Sequence, residues 1–343
     1  MKLDLEKRIA SWSKLGDELK ALIAQDPPSE DLKHLLNRAE AHNGWFTEEQ
    51  VRFALAAWAA ELQARRLENW LAPYIINDNE PKTIAVIAAG NIPMVGLHDA
   101  LCVLLSGNKL QIKLSSNDQL LLPYLFNRLI AIEPAWKDYI EIRKEAVSDY
   151  HAVIATGSDN TARYFAHYFK GKPHIIRRNR NSVAVLSGDE SVEELAGLSN
   201  DIFRYYGLGC RSVSKLFVPV GYDFDKVFKA VYAWKHLLEH KKYENNYDYN
   251  KAVFLMSQFD FLENGFFMIK QDERMASPIA SVFYETYKNK EDLEDKIQAK
   301  QDQIQCIVGP KSMSKAIPFG TSQSPGLNDY ADGVDTMDFL LKL

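Results

Sequence analysis

Three turns in this sequence join glycine to a side chain that can react, donate a proton or cap a helix. In Tyr206-Gly207-Leu208-Gly209-Cys210-Arg211-Ser212-Val213-Ser214 a cysteine follows glycines, which let a backbone amide approach a reacting atom, and precedes strand-forming residues. Arg211 and Lys215 would favour the thiolate, the nucleophilic form. Gly90-Asn91-Ile92-Pro93 follows the β-rich run Thr83 to Ala89 and opens a helix, so small residues and helix amides stand where a phosphate or an oxyanion can sit. Thr156-Gly157-Ser158-Asp159 repeats that pattern with hydroxyls. Taken singly, the last two turns say little, because every βα unit has one and Ser158 or Asp159 also suits an ordinary N-cap.

Three cysteines, odd in number and widely spaced, make no disulfide framework. Cys102 in Ala100-Leu101-Cys102-Val103-Leu104 and Cys306 in Ile304-Gln305-Cys306-Ile307-Val308 have apolar neighbours, which raise a thiol pKa and fit inert core positions. That leaves Cys210 as the candidate nucleophile.

The elements that would hold these turns are legible as patterns. Leu5, Ile9, Trp12, Leu15, Leu19 and Leu22 form one helical stripe, and Thr47-Glu48-Glu49-Gln50 reads as a capping box opening a second long helix through Val51, Leu55, Trp58 and Leu62. From Lys82 onward short β runs alternate with helices: Thr83 to Ala89, a helix through Gly107, Lys109 to Leu114, a helix from Asn117, His151 to Ala155, a helix from Asp159 to Phe169, Ile175-Ile176, and Val183 to Leu186. Such alternation predicts right-handed βαβ units and a parallel sheet, whose ligands bind beyond the carboxyl ends of the strands. A second unit follows Cys210, with strands at Ser214 to Val220, Ile279 to Tyr287 and Ile304 to Val308, and helices at Asp223 to Glu239 and Lys290 to Lys300. The Asn/Tyr-rich stretch from Tyr243 to Tyr249 reads as a loop.

With 343 residues the chain has room for about two domains. Its 41 basic and 46 acidic side chains give a net charge of −5, which provides no electrostatic footprint for nucleic acid or an anionic membrane. No apolar run approaches the roughly 20 residues needed to span a bilayer, and the charged start Met1-Lys2-Leu3-Asp4 lacks a signal peptide's apolar stretch, so the expected location is the cytoplasm.

The order of the three junctions, together with Lys113-Leu114-Ser115-Ser116, Pro318-Phe319-Gly320 and Asp332-Gly333-Val334-Asp335-Thr336, resembles the aldehyde dehydrogenase superfamily, and within it the long-chain acyl-CoA reductase (LuxC-like) family. The resemblance covers roughly residues 80 to 340. It implies an α/β, aldehyde dehydrogenase-like architecture: two Rossmann-like parallel-sheet domains with a helical N-terminal segment. Residues 1–75 would be the helical segment packed on the cofactor domain. Residues 76–205, completed by about 321–343, would form the NADP-binding domain, and 206–320 the catalytic domain carrying Cys210.

The resemblance further implies Cys210 as nucleophile, with the Asn91 amide and the Cys210 N–H as oxyanion donors. Lys113, with Ser115 and Ser116 beyond it, would hold the adenosine ribose, and Thr156, Gly157 and Ser158 would face the dinucleotide phosphates. Many superfamily members carry, at the third position past this lysine, a Glu that binds the ribose 2′-hydroxyl. Here that position is Ser116, and the missing negative charge favours NADPH over NADH. Members that oxidise aldehydes also carry a Glu-Leu-Gly-Gly segment whose Glu activates water, whereas His174 to Asn181 holds no carboxylate. The implied reaction is therefore reduction of a fatty acyl-CoA to the aldehyde through a Cys210 acyl-enzyme, by a homo-oligomer, dimer or tetramer, with no metal. Glu273 is not assigned to the nicotinamide ribose.

Other readings stand beside this one: an acyl-phosphate (glutamyl-phosphate type) or other aldehyde dehydrogenase-like oxidoreductase, or a non-catalytic acyl- or nucleotide-binding homologue. His236-Leu237-Leu238-Glu239-His240 matches a zinc-peptidase pattern, but Lys241-Lys242 directly after it suits a helix end instead. Arg177, Arg178 and Arg180 read equally as partners for CoA phosphates or as a solvated basic edge. Tyr205-Tyr206 and Phe266-Phe267 read as an acyl tunnel or as core packing.

Overall fold

A computed structural model describes residues 3–77 and 80–343. The chain divides into two compact units, Met1–Arg178 with Gly326–Leu343, and Asn179–Pro325.

The first unit opens with four helices, α1 (Leu5–Ile23), α2 (Glu30–His42), α3 (Glu48–Glu61) and α4 (Ala64–Leu71). Along α1 the buried stripe is Arg8, Trp12, Leu15, Leu19 and Leu22, while Leu5 and Ile9 are only half-buried. Each of those apolar side chains contributes about 1.5–3 kcal/mol by leaving water. Buried Arg8 donates to the Leu105 carbonyl (2.6 Å), and Ser11 accepts from the Trp136 indole (2.8 Å), so the helical segment is fastened to the unit by polar contacts as well.

β1 (Thr83–Ile87), α5 (Leu97–Leu105), β2 (Lys109–Lys113), α6 (Leu121–Ile132), β3 (Ile140–Arg143), β4 (Ala152–Thr156), α7 (Asp159–Tyr168) and β5 (His174–Arg177) follow. All five strands are parallel, in the order β3-β2-β1-β4-β5. The strand order reverses between β1 and β4, and such a switch point opens a crevice at the carboxyl edge. Two features differ from the sequence reading. β3 is a half-exposed edge strand with too little apolar alternation to announce itself. α6 begins at Leu121 rather than Asn117, because buried Asp118 turns inward and accepts from Met94 N (2.9 Å) and Leu121 N (3.3 Å).

The second unit contains β6 (Asn181–Val185), α8 (Val192–Phe203), β7 (Val213–Pro219), α9 (Asp225–Val231), α10 (Lys241–Met256), β8 (Phe261–Glu263), β9 (Met268–Gln271), β10 (Ser281–Tyr287), α11 (Lys290–Ala299) and β11 (Ile304–Val308). Its sheet runs β11-β6-β7-β10-β9-β8 and is parallel except for β8, which returns antiparallel to β9. The sequence reading kept residues up to 205 with the first domain. In the structure β6 pairs with β7 and β11, and Val183 and Val185 pack on Phe217, Leu293 and Ile304 of the second unit.

The expected loop from Tyr243 to Tyr249 is part of helix α10. Tyr243, Tyr247, Asn250 and Phe254 recur at helical spacing and are all buried, so tertiary packing overrides the poor helix propensity of Asn and Tyr. After α9 the chain tightens into a 3-10 turn over Tyr232–Glu239. The closing helix α12 (Thr336–Leu341) returns to the first unit, where Tyr74 donates to Asp335 (2.7 Å) and the Trp70 indole to Tyr330 (2.8 Å).

Candidate active-site residues in the two units

In the first unit the register aligns Ile87 with Lys113 and with Ala155, so the turns after β1, β2 and β4 leave the sheet side by side. Asn91, Lys113, Ser115, Ser116, Thr156, Gly157 and Ser158 therefore share one carboxyl edge. The first two turns touch: a Cβ added at Gly90 would lie 2.6 Å from Ser115 Oγ, so only glycine fits beside that serine. Lys113 ends β2, and its carbonyl accepts from Ala88 N (3.1 Å). Ser115 Oγ accepts from Asn117 N (3.2 Å), which shapes the loop before the inward-turned Asp118.

Ser116 is exposed. Its carbonyl oxygen pairs with the His42 ring (2.6 Å), and Asn43 Nδ2 donates to the Asn117 carbonyl (3.3 Å). The end of α2 thus holds the loop, a link across 74 positions that no local pattern announces. In the third turn Ser158 accepts from Thr161 N (3.3 Å), so its side chain acts as the N-cap of α7. The Gly157 N–H donates to the Arg177 carbonyl (3.3 Å).

Arg177 takes neither of the roles read for it. It is buried, with Nη1 on Asp99 Oδ2 (2.6 Å) and Nη2 on Thr336 Oγ1 (2.9 Å), tying β5 to α5 and α12. Arg178 is exposed.

In the second unit Cys210 is the exposed cysteine, Cys306 is half-buried and Cys102 of the first unit is buried. Burial pushes the Cys102 thiol well up, which makes it a poor nucleophile. Ahead of Cys210 the backbone is left-handed at Tyr205 (φ 54°), Tyr206 (φ 57°) and Gly207 (φ 76°). For the two tyrosines this costs roughly 1–2 kcal/mol each. Tyr206 is steadied by stacking on His240 at 4.6 Å.

Cys210 opens onto a cavity of about 280 Å³. Phe203, Tyr206, Tyr243 and Phe267 give it an aromatic wall, while Asn181, Ser214 and Ser277 add polar groups. Its lining includes Arg180 but no carboxylate. Of the aromatic pairs singled out in the sequence, one member of each lines the cavity, and Phe266 instead packs against Phe203.

The cations expected to favour the Cys210 thiolate are engaged elsewhere. Lys215 is fully buried and pairs with Glu285 (2.6 Å), and Arg211 Nε donates to the Ser322 carbonyl (2.6 Å). What meets Cys210 from below is Ser182, which sequence reasoning missed. Its hydroxyl donates to the Cys210 carbonyl (3.0 Å) and lies 3.0 Å from Cys306 Sγ.

His236 and His240 do not form a metal site. His236 lies within the 3-10 turn and His240 directly after it, where residues four apart do not share a face, and His240 caps α10 through Tyr243 N. Among the described residues no cluster of three or more His, Cys, Asp or Glu is disposed to hold a metal ion. No helix among them is long and apolar enough to cross a membrane.

Comparison with known proteins gives this geometry a context. The family model for acyl-CoA reductase (LuxC) matches residues 72–234, which include all eight candidate site residues. A long-chain acyl-protein thioester reductase of Photobacterium leiognathi is 24% identical over 194 residues, covering 51% of this chain and 40% of that relative's length. Among solved structures, an indole-3-acetaldehyde dehydrogenase of P. syringae, in complex with NAD+ and IAA, superposes with a TM-score of 0.67 at 15% identity, over 92% of this chain and 74% of that one. The aldehyde dehydrogenase KauB from Pseudomonas aeruginosa gives 0.66 at 12% identity, over 91% and 73%. The chain is LuxC-like and has an aldehyde dehydrogenase fold.

Proposed function

We propose that this LuxC-like chain reduces a fatty acyl thioester, acyl-CoA, to its aldehyde through an acyl-enzyme on Cys210. The observation that carries this reading is the position of Cys210 on an aromatic-walled cavity whose lining has no carboxylate. The Cys210 thiolate attacks the thioester carbonyl carbon, and the resulting oxyanion would be held by the Cys210 N–H, with the Asn91 amide as the second donor that the resemblance implies. The attack forms the new C–S bond, and collapse of the oxyanion restores the carbonyl and breaks the C–S bond to CoA, which leaves as thiolate. Exchange between thioesters is nearly isoenergetic, so no strong general acid is needed. With no carboxylate on the cavity to activate water, the acyl-enzyme persists until it is reduced.

The carboxyl edge of the first unit suits a nicotinamide dinucleotide: Lys113 and Ser115 would hold its ribose, and the turn Thr156–Ser158 would face its phosphates. At Ser116 the edge is neutral, and Asp118 is turned inward, so a 2′-phosphate meets no carboxylate from either, which favours NADPH. When bound, the cofactor supplies the hydride that takes the acyl carbon to a thiohemiacetal. The same two donors hold its alkoxide, and collapse expels the aldehyde and restores the Cys210 thiolate.

A second reading is favoured by the Photobacterium relative, whose name specifies an acyl-protein thioester. The attacked carbonyl is the same, but the leaving thiolate belongs to a protein. The test follows nicotinamide absorbance with acyl-CoAs of graded length, an acyl-protein thioester and an acyl phosphate, each with NADPH or NADH. Turnover of acyl-CoA with NADPH that vanishes in Cys210→Ala is the expected result. Equal rates in Cys210→Ala would refute the covalent route, and cofactor binding without turnover of any donor would leave a non-catalytic homologue.

A further inference from the structure

The turn that carries Cys210 is held from outside the sheet. Asp201, on α8, is fully buried, and its carboxylate accepts Gly320 N (2.6 Å), Ser322 N (3.0 Å) and Ser322 Oγ (2.7 Å). The segment 318–323 lies directly on α8 at that point, since a Cβ at Gly197 would stand 2.9 Å from the Phe319 carbonyl carbon. From this segment hydrogen bonds cross to the cysteine turn. The Ser322 carbonyl accepts from Arg211 Nε (2.6 Å), and Gln323 Nε2 donates to Ser212 Oγ and to the Asp201 carbonyl (both 3.3 Å). Ser212 closes the turn itself, donating its N–H to Gly209 O (3.0 Å) and accepting Gly209 N (3.2 Å) on its hydroxyl.

We propose that Asp201 is a positioning residue for the nucleophile: by fixing 318–323 it locks the Gly209–Ser212 backbone, and with it the direction of the Cys210 sulfur and N–H. The proposal rests on the reading of Cys210 as nucleophile. The left-handed Tyr205–Gly207 turn makes the lock necessary. A strained turn persists only where its surroundings over-determine it, and here α8 fixes one end while the Asp201 brace fixes the other. Desolvation raises the Asp201 pKa, opposed by the Gly320 and Ser322 donors, so the carboxylate is held by the same bonds that hold the segment. A buried polar network of this kind specifies one geometry when every member is satisfied.

The test compares Asp201→Asn, Ser322→Ala and Ser322→Thr with the parent and with Cys210→Ala. In each, the reactive Cys210 is counted by acylation in the absence of cofactor, and kcat is expressed per counted thiol. Asn has one acceptor oxygen where two are used, and Ala removes only the Ser322 hydroxyl, so the second variant keeps the test open if the first fails to fold. Both should lower kcat per thiol about tenfold to a hundredfold, the scale of a misplacement near 1 Å, with KM for the acyl thioester within about twofold. Ser322→Thr, which keeps the hydroxyl, should restore kcat. Unchanged kcat per thiol in the variants that fold, with only the melting temperature lowered, would overturn the proposal. Turnover that survives in Cys210→Ala would overturn the nucleophile reading and this proposal together, and that variant alone reveals it.

Discussion

Gly90→Ala tests whether the cofactor edge is assembled as described. The new Cβ would stand 2.6 Å from Ser115 Oγ, 2.7 Å from Ser115 Cβ and 3.2 Å from Asn117 Cβ. Rotating the Ser115 side chain relieves the first contact only, because the second involves a carbon bonded to the backbone. The loops after β1 and β2 must therefore separate by about 0.7 Å, and overpacking of this kind costs about 1–3 kcal/mol. For a chain of this size that lowers the melting temperature by several degrees. The displaced loops carry Asn91, Lys113 and Ser115, so NADPH affinity, read from tryptophan fluorescence, should weaken on the order of tenfold.

Ser115→Gly removes both close atoms and serves as the internal control. In the double variant Gly90→Ala/Ser115→Gly the alanine should cost little beyond Ser115→Gly alone, a coupling of about 1–2 kcal/mol typical of residues in contact. If Gly90→Ala melts and binds NADPH like the parent, or if the two penalties simply add, the two loops are not packed as the structure has them.

Arg177→Met should destabilise by about 3–5 kcal/mol in urea titration, because it strands the Asp99 carboxylate in the core, whereas Arg178→Ala on the exposed side should stay within about 0.5 kcal/mol. CoA affinity unchanged in the folded Arg177 variant would agree with its structural role, and selective loss of CoA binding would contradict it. Asp272 is held well below the usual carboxylate range, first by Arg274 and also by Lys270. A depressed pKa stabilises the fold above the unfolded value near 3.8 and is lost as the pH falls through the lower folded value. Asp272→Asn should therefore destabilise at pH 7 on the order of 2 kcal/mol, with the gap closing below about pH 4 in acid unfolding followed by circular dichroism. A constant gap across that range would refute the assignment.

Much of the scaffold could be read because its signals are local. The apolar runs at Ile84–Val86 and Val153–Ala155 are fully buried central strands, and their continuity, rather than alternation, marks a parallel sheet covered on both faces. The failures have equally local causes. β3 alternates weakly because it is a half-exposed edge, and α10 hides its aromatic stripe among Asn, Tyr and Lys, whose propensities suggest a loop. The placement of β6 was illegible for another reason: nothing within Asn181–Val185 says which of two sheets a strand will join, and that choice is made by Leu293 and Ile304, more than a hundred positions later.

The candidate reactive groups were easier to single out than the groups that would aim them. Gly90, Gly157 and Cys210 stand out as candidates because backbone approach and thiol chemistry are properties of one position. Orientation is a relation between positions. Arg211 reaches Ser322 across 111 residues, and Asp201 reaches the same serine across 121, so neither carries a pattern beyond that of an ordinary charged residue. Composition even misled at this point. Arg211, next to the cysteine in sequence, and Lys215, five positions on, looked like thiolate partners, yet the alternation of a strand turns Lys215 to Glu285 while the turn sends Arg211 to a carbonyl. Charge close in sequence is therefore a poor guide to charge close in space at the mouth of a strand. The Cys210 pH profile should accordingly respond less to Lys215→Met than to loss of the Ser322 hydroxyl, and a larger response to Lys215→Met would restore the sequence-based view of the thiolate.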